Sequence, residues 1–302
     1  MQQFIQQLVN GLTIGTFYAL VALGYTMVYG VLKLINFAHG DLFMWGTLVG
    51  WAGLTLVFGA VLDMPQVAFV LSAVVAMMVI GGVGVVIERV AYRPLRTAGR
   101  LSPVISALGV AFILESVARN VTGASYQVYP PNLVPSLSLQ LTSEVRVSLT
   151  QVIVFISSLL LMLGLYLFVQ RTRVGTAMRA VSLSHDISSL MGINVDRIIA
   201  LTFFIGPALG AIAGMMVGLY YGSFDFSLGW VFGLKAFVAA ILGGIGNIPG
   251  AVVGGFILGI IETMGAGYIS AQWKDVIAYA ILIVILIVRP TGLLGETVAE
   301  KY

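Results

Sequence analysis

The chain has 302 residues, 59% hydrophobic and 9% charged, with a mean hydropathy of +1.04. A soluble domain carries about 25% charged residues, so this chain cannot coat itself for water and suits lipid instead. A net charge of +3 with no free-standing basic stripe gives no support to nucleic-acid binding, and the lack of cysteine excludes disulfides, thiolate metal sites and cysteine nucleophiles.

A helix that crosses a bilayer needs roughly 20 apolar residues. Taken in chain order, the candidates are 8–31, 42–62, 66–88, 101–121, 149–169, 198–221, 230–247, 251–269 and 272–288. The first opens MQQFIQQLVNGLTIGTFYAL with no Lys or Arg before Lys33, so it lacks the basic region of a cleaved signal peptide and reads as a retained span. The expected architecture is an all-α, polytopic transmembrane helix bundle of eight or nine spans, some broken or re-entrant. It forms one membrane domain over residues 1–302, with an external loop at 122–148 and an inner loop at 171–197.

Basic residues in short loops stay on the cytoplasmic side. Placing the Arg89, Arg93, Arg96, Arg100 cluster and the Arg171, Arg173, Arg179, Arg197 cluster inside also puts Lys33, Arg289 and Lys301 inside. Arg119, Arg146 and Lys274 then lie outside and Lys235 within a span, near enough to the outer boundary to snorkel. Parity gives an outer N-terminus and an inner C-terminus.

The first span runs into INFAHGDLFMWG, where Asn36, His39, Gly40 and Asp41 favour a break over a continued helix. A second stretch, FDFSLGWVFG, repeats the pattern: Phe37-x-x-Gly40-x-x-Phe43 matches Phe226-x-x-Gly229-x-x-Phe232, with Asn36 and Asp225 just ahead. Broken helices in inverted repeats mark transport pathways, although Phe and Gly are common enough here for chance to produce the match. The expected topology puts the two stretches on opposite faces of the membrane, each non-helical or broken. Glu88 reads as a helix end, with Arg89 and Arg93 facing lipid phosphates or a partner. Glu115 and Glu262 are ionisable residues inside spans, which are costly. Each has two readings: binding a substrate ammonium group, or hydrogen bonding between helices.

The loop at 122–148 carries three prolines and suits an exposed connection with a short helix or a strand pair. In the inner loop, Ala180, Leu183, Ile187, Leu190 and Met191 form the apolar stripe of a short amphipathic helix. Ser182, Ser184, His185, Asp186, Ser188 and Ser189 fill its other face, and Gly192 is placed as a C-terminal cap. From the pattern alone, the ridge lies either in lipid headgroups or in a protein groove. Gly206, Gly210, Gly214 and Gly218 recur every fourth residue, as do Gly246, Gly250 and Gly254, with Gly255 and Gly259 alongside. This spacing lets helix backbones approach closely, for fixed packing or for sliding; Pro207 should kink the first stripe. LGGIGNIPG has no lysine to reach a phosphate, so it reads as a tight hairpin and not a nucleotide loop. No nucleophile–base pair or metal cluster stands out, and neither catalysis nor a bound cofactor is expected.

Several long stretches, in order along nearly the whole chain, carry a resemblance: LVNGLTIGTFYALVALGYTMVYGVLKLINFAHGD, IERVAYRPLR, MGINVDRIIALTFFIG, GLKAFVAAILGGIGNIPGAVVGGFILGIIE and WKDVIAYAILIVILIVRPTGLLG. Together they resemble branched-chain amino acid ABC-importer permeases of the LivH type. The resemblance implies a multi-pass protein of the bacterial inner membrane that pairs with a LivM-type permease. Two cytoplasmic ATPases that use ATP and an extracytoplasmic substrate-binding protein complete such an assembly. It further implies that Arg179, Ala180, Leu183, Asp186, Ile187, Leu190 and Gly192 form the helix that docks on the ATPase, although LSHDISS stands where relatives have an acid- and alanine-rich run. The INFAHGD signature places Asn36, Phe37, His39, Gly40 and Asp41 near the translocation path, and the span residues Glu115, Asp225 and Glu262 join them as candidates. The alternatives are an ion-coupled secondary transporter and an ABC permease for urea, amides or other amino acids.

Overall fold

The computed structural model describes residues 1–59, 63–96, 98–99, 101–131, 133–140 and 145–295; Arg100 and Lys301 lie outside these residues, as does the end of the 42–62 span. The helices are α1 (Gln2–Leu32), α2 (His39–Ala52), α3 (Pro65–Ile87), α4 (Leu101–Thr122), α5 (Leu149–Arg171), α6 (Arg173–Leu183), α7 (His185–Leu190), α8 (Val195–Tyr221), α9 (Leu228–Gly243), α10 (Ile248–Tyr268) and α11 (Lys274–Val288). Among the described residues, eight helical stretches are long and apolar enough to cross a membrane, and α9 is a shorter apolar helix. The α2 stretch continues through a π-helical turn at Gly53–Val57. The α3 stretch does not end at Glu88, as the sequence suggested, but continues through a π-helical turn (Glu88–Tyr92) and a 3-10 turn (Arg93–Leu95).

Helix directions follow from the contacts. α1 and α10 are antiparallel: Gln3 reaches the Gly267 carbonyl at one end, while Gly30 faces Gly246 at the other. α1 and α8 are antiparallel too, with Gly24 against Gly206 and Phe17 against Tyr220. One end of the bundle collects Lys33, Arg93, Arg96, Asp196 and His185, the last joined to the Val31 carbonyl. The basic residues make this the inner end. The other end holds Lys274, the strands and the start of α5, consistent with an outer N-terminus.

Lipid solvates an apolar side chain as well as another helix does, so backbone proximity and shape must hold such a bundle together. The glycine stripes supply both. A Cβ on Gly259 would stand 2.4 Å from the Gly15 amide nitrogen, and one on Gly255 would stand 2.5 Å from Cα of Ala19. Along α8, Gly206 meets Gly24, Gly210 meets the His39 ring, and Gly214 meets Phe43 and Thr47. α8 runs through Pro207 as one helix; the Phe203 carbonyl, which Pro207 cannot serve, lies against Gly84 of α3. LGGIGNIPG is the tight hairpin expected: Gly243 abuts the Gly250 carbonyl, and Asn247 caps α10 through Gly250 N at 3.1 Å.

The two matched stretches are broken and related by an inverted repeat. α1 ends at Lys33 (φ 56°) and α8 at Gly222 (φ 72°), both left-handed, with amides donating to the Tyr29 and Gly218 carbonyls. Three residues later, Asn36 Oδ1 accepts the Ala38 amide at 3.2 Å and Asp225 Oδ1 accepts the Ser227 amide at 3.1 Å. Each of these pairs is separated by 189 residues. α2 and α9 then start inside the bundle and run to opposite ends. The stretches do not sit on opposite faces as expected: each enters from its own face, and they meet in the middle.

Outside, β1 (Gln127–Val128) pairs with β4 (Ser223–Phe224), and β2 (Ser138–Gln140) with β3 (Arg146–Ser148), both antiparallel. Tyr129 follows β1 into the bundle, donating to the Thr47 carbonyl at 2.8 Å, and burial raises its hydroxyl above the ordinary tyrosine range.

Gly259→Leu should destabilise the chain by about 3 kcal/mol or more, because the added side chain meets backbone that cannot yield. Gly109→Leu, which meets nothing within 4 Å, should stay within about 0.5 kcal/mol of the parent; thermal unfolding in detergent measures both.

Candidate functional site

At the centre of the bundle the first turns of α2 and α9 cross. A Cβ on Gly40 would lie 2.5 Å from the Gly229 carbonyl oxygen and 2.8 Å from Cα of Gly233. Phe43 and Phe232, the last members of the matched patterns, stack at 5.6 Å and 27°. Phe37 packs on Phe237, with ring centroids 5.8 Å apart. Two helix N-termini thus place their positive dipole ends deep in a low-dielectric interior. The Asx turns of Asn36 and Asp225 satisfy some of the free amides, and the Asp41 carboxylate lies beside Gly229, over the start of α9.

The polar groups around the crossing differ in how well they are satisfied. Asn36 also accepts from the Tyr92 hydroxyl at 3.1 Å, but its buried Nδ2 has no hydrogen-bond partner. His39 is fully buried, edge-on to Tyr25 at 4.8 Å and pressed against Gly24, and among the described residues neither ring nitrogen has a hydrogen-bond partner. Asp41 is buried and lies within electrostatic reach of Glu115 on α4, which is half-buried; neither carboxylate is in an ion pair among the described residues. The Trp45 indole donates to the Leu114 carbonyl at 3.0 Å and pins these two helices together.

Glu262 is not part of this group. Its carboxylate accepts from the Tyr18 hydroxyl at 2.6 Å and from Lys235 at 2.7 Å, and Lys235 also reaches Asp275 at 2.6 Å. The interhelical reading therefore describes Glu262. Lys235 does not snorkel: it is 3% exposed, and countercharges on α10 and α11 compensate its burial.

At the inner end, 171–197 forms two helices and not one. Ser184 breaks out of helix (φ −160°) and caps α7 through the Ile187 amide. The buried side carries Gly175, Met178, Val181 and Ser188, and His185 anchors α7 to α1. The apolar stripe points away from the protein: Leu183, Ile187, Leu190 and Met191 are 88%, 64%, 85% and 78% exposed. Asp186 is exposed and Ala180 half-buried. Gly192 is the C-terminal cap, at φ 82° with its amide on the Ser189 carbonyl. Arg179 donates to the Val169 carbonyl, tying α6 to the end of α5.

Glu88 is buried and paired with Arg96, Arg93 is half exposed and paired with Asp196, and Arg89 is exposed. The sequence held no separate signal for these partners: Glu88 meets Arg96 through the turns that extend α3, and Asp196 joins them only when α3 and α8 pack. Removing one member of a buried ion pair strands the other, at a cost of about 3–5 kcal/mol, whereas apolar replacement of both is nearly neutral. Lys235→Met should thus lower stability by that amount, and Lys235→Met with Glu262→Met should recover most of it in thermal unfolding.

Residues 7–286 match the family model described as branched-chain amino acid transport system / permease component. The high-affinity branched-chain amino acid transport system permease protein BraD of Pseudomonas aeruginosa is 43% identical, over 99% of this chain and 98% of its own. The permease proteins LivH of Salmonella typhimurium and Escherichia coli are each 42% identical, over 99% of this chain and 97% of theirs. With its bundle of apolar spans, this chain belongs to the family of branched-chain amino acid transport permeases, multi-pass membrane proteins.

Proposed function

We propose that the chain is a membrane subunit of an ABC importer in a bacterial inner membrane and moves branched-chain amino acids by alternating access. ATP is hydrolysed by two cytoplasmic ATPase subunits, a LivM-type permease completes the pathway, and an extracytoplasmic binding protein delivers substrate. The observation that carries this reading is the ridge Leu183, Ile187, Leu190 and Met191. Four large apolar side chains on the cytoplasmic end of a folded protein call for a partner groove. Arg179, Ala180, Asp186 and Gly192 shape and orient that ridge. Within the membrane, Asn36, Phe37, His39, Gly40, Asp41 and Asp225 form the point about which the halves move. Asp41 and Glu115, which have no ion-pair partner among the described residues, are positioned to meet a substrate ammonium group.

Co-purification from membranes, followed by identification of the associated chains, tests the assembly. Two ATPase subunits are expected, and uphill transport by the isolated chain on an ion gradient would refute it. Gly192→Pro removes both the positive φ and the capping amide. It should leave the complex assembled but separate ATP hydrolysis from uptake, and normal coupled uptake would argue against docking through this segment. Asp41→Asn should cut leucine uptake in proteoliposomes at least tenfold, whereas unchanged kinetics would return Asp41 to a packing role.

A further inference from the structure

The segment after the exposed ridge leads directly into α8, and a chain of charges grips its first turn. Asp196, four residues after the Gly192 cap, is held by Arg93 and by Arg96, the latter at 2.8 Å from Nη1 to Oδ1. The same Arg96 turns Nη2 onto Glu88, whose side chain is 2% exposed and belongs to the π-helical turn that extends α3. One planar guanidinium thus bridges a half-exposed carboxylate on the docking segment and a buried carboxylate on a membrane helix. Glu88 cannot follow lipid or water, so the path is stiff at its inner end. The next residues inward take it to the centre: Tyr92, in the same π turn, packs against Phe203 with ring centroids 5.0 Å apart and planes inclined by 58°, and donates to Asn36 at 3.1 Å, in the break before α2.

We infer that Arg96 is a positioning residue for transport, the relay by which movement of the 184–196 segment reaches α3 and the crossing of the half-helices. This rests on the reading of 171–197 as the ATPase-docking segment. The fork geometry matters, since the planar guanidinium presents Nη1 to Asp196 and Nη2 to Glu88 in fixed directions that a point charge on a flexible stem does not reproduce. In the inferred role, Glu88 and Arg96 move as one piece with Asp196, and Tyr92 carries that displacement to Asn36.

The test uses the assembled transporter in proteoliposomes and reads leucine taken up per ATP hydrolysed, a ratio that a misfolded fraction leaves unchanged. Asp196→Asn and Arg96→Lys should each lower the ratio at least tenfold; both retain a positive charge beside buried Glu88. Asp196→Glu should keep at least half of it. A parental ratio in either of the first two variants, or a tenfold loss in Asp196→Glu, would overturn the relay. Gly192→Pro, measured alongside, separates the two ideas. If it uncouples while Asp196→Asn and Arg96→Lys remain coupled, the docking reading stands and the relay fails. If all three remain coupled, the docking reading itself falls, and the relay with it.

Discussion

Lipid tails offer an apolar side chain much the same company as a neighbouring helix does, so a membrane bundle cannot rely on the hydrophobic effect to set its geometry. In this protein the deciding contact is backbone against backbone. α1 and α10 touch through Gly11, Gly15, Gly255 and Gly259, and the half-helices α2 and α9 touch through Gly40, Gly229 and Gly233. Close approach brings many atoms to van der Waals distance at once. It also fixes the axial register of each helix pair, because a one-residue slip would put a side chain where only hydrogen fits. The position of every other group, including the crossing and the ion pairs, is set by that register.

The crossing creates an electrostatic problem that the same sequence addresses. Starting α2 and α9 inside the bundle, after α1 and α8 have each run a full span, exposes free amides and two positive dipole ends to a medium with little water. The Asx turns of Asn36 and Asp225 and the carboxylate of Asp41 answer it, in nearly the same way in each half. Non-helical backbone at this depth is tolerated only where protein or a water-filled cavity surrounds it. Both breaks meet that condition by lying against each other. The arrangement is a pair of equivalent elements pointing in opposite directions, a geometry suited to two exchangeable states.

Charged groups elsewhere divide by whether they are paired. Lys235, Glu262 and Asp275 neutralise one another between α9, α10 and α11, and Glu88, Arg96, Arg93 and Asp196 do so between α3 and α8. These clusters sit at opposite ends and fix helix ends to each other. Among the described residues Asp41 and Glu115 lack such partners, which separates them physically from the acids that serve packing.

Composition alone determined that the chain lives in lipid, and the basic residues of its short loops gather at one end of the bundle, the basis for calling that end the inner one. The breaks at INFAHGD and FDFSLGW and the cap at Gly192 were legible as well, because helix breaking and left-handed backbone depend on local residue chemistry. The family was legible from long ordered motifs. Pairing was not. Lys235 seemed near enough to the surface to snorkel and Glu88 seemed a helix terminus, and neither reading could foresee a countercharge from a helix 27 residues later or from a turn eight residues on. The inner segment divides at Ser184, and beside that break His185 meets the Val31 carbonyl of α1, a partner 154 residues away. Local chemistry is written along one dimension. Which two distant residues share a dielectric environment is decided only when glycine surfaces bring their helices together.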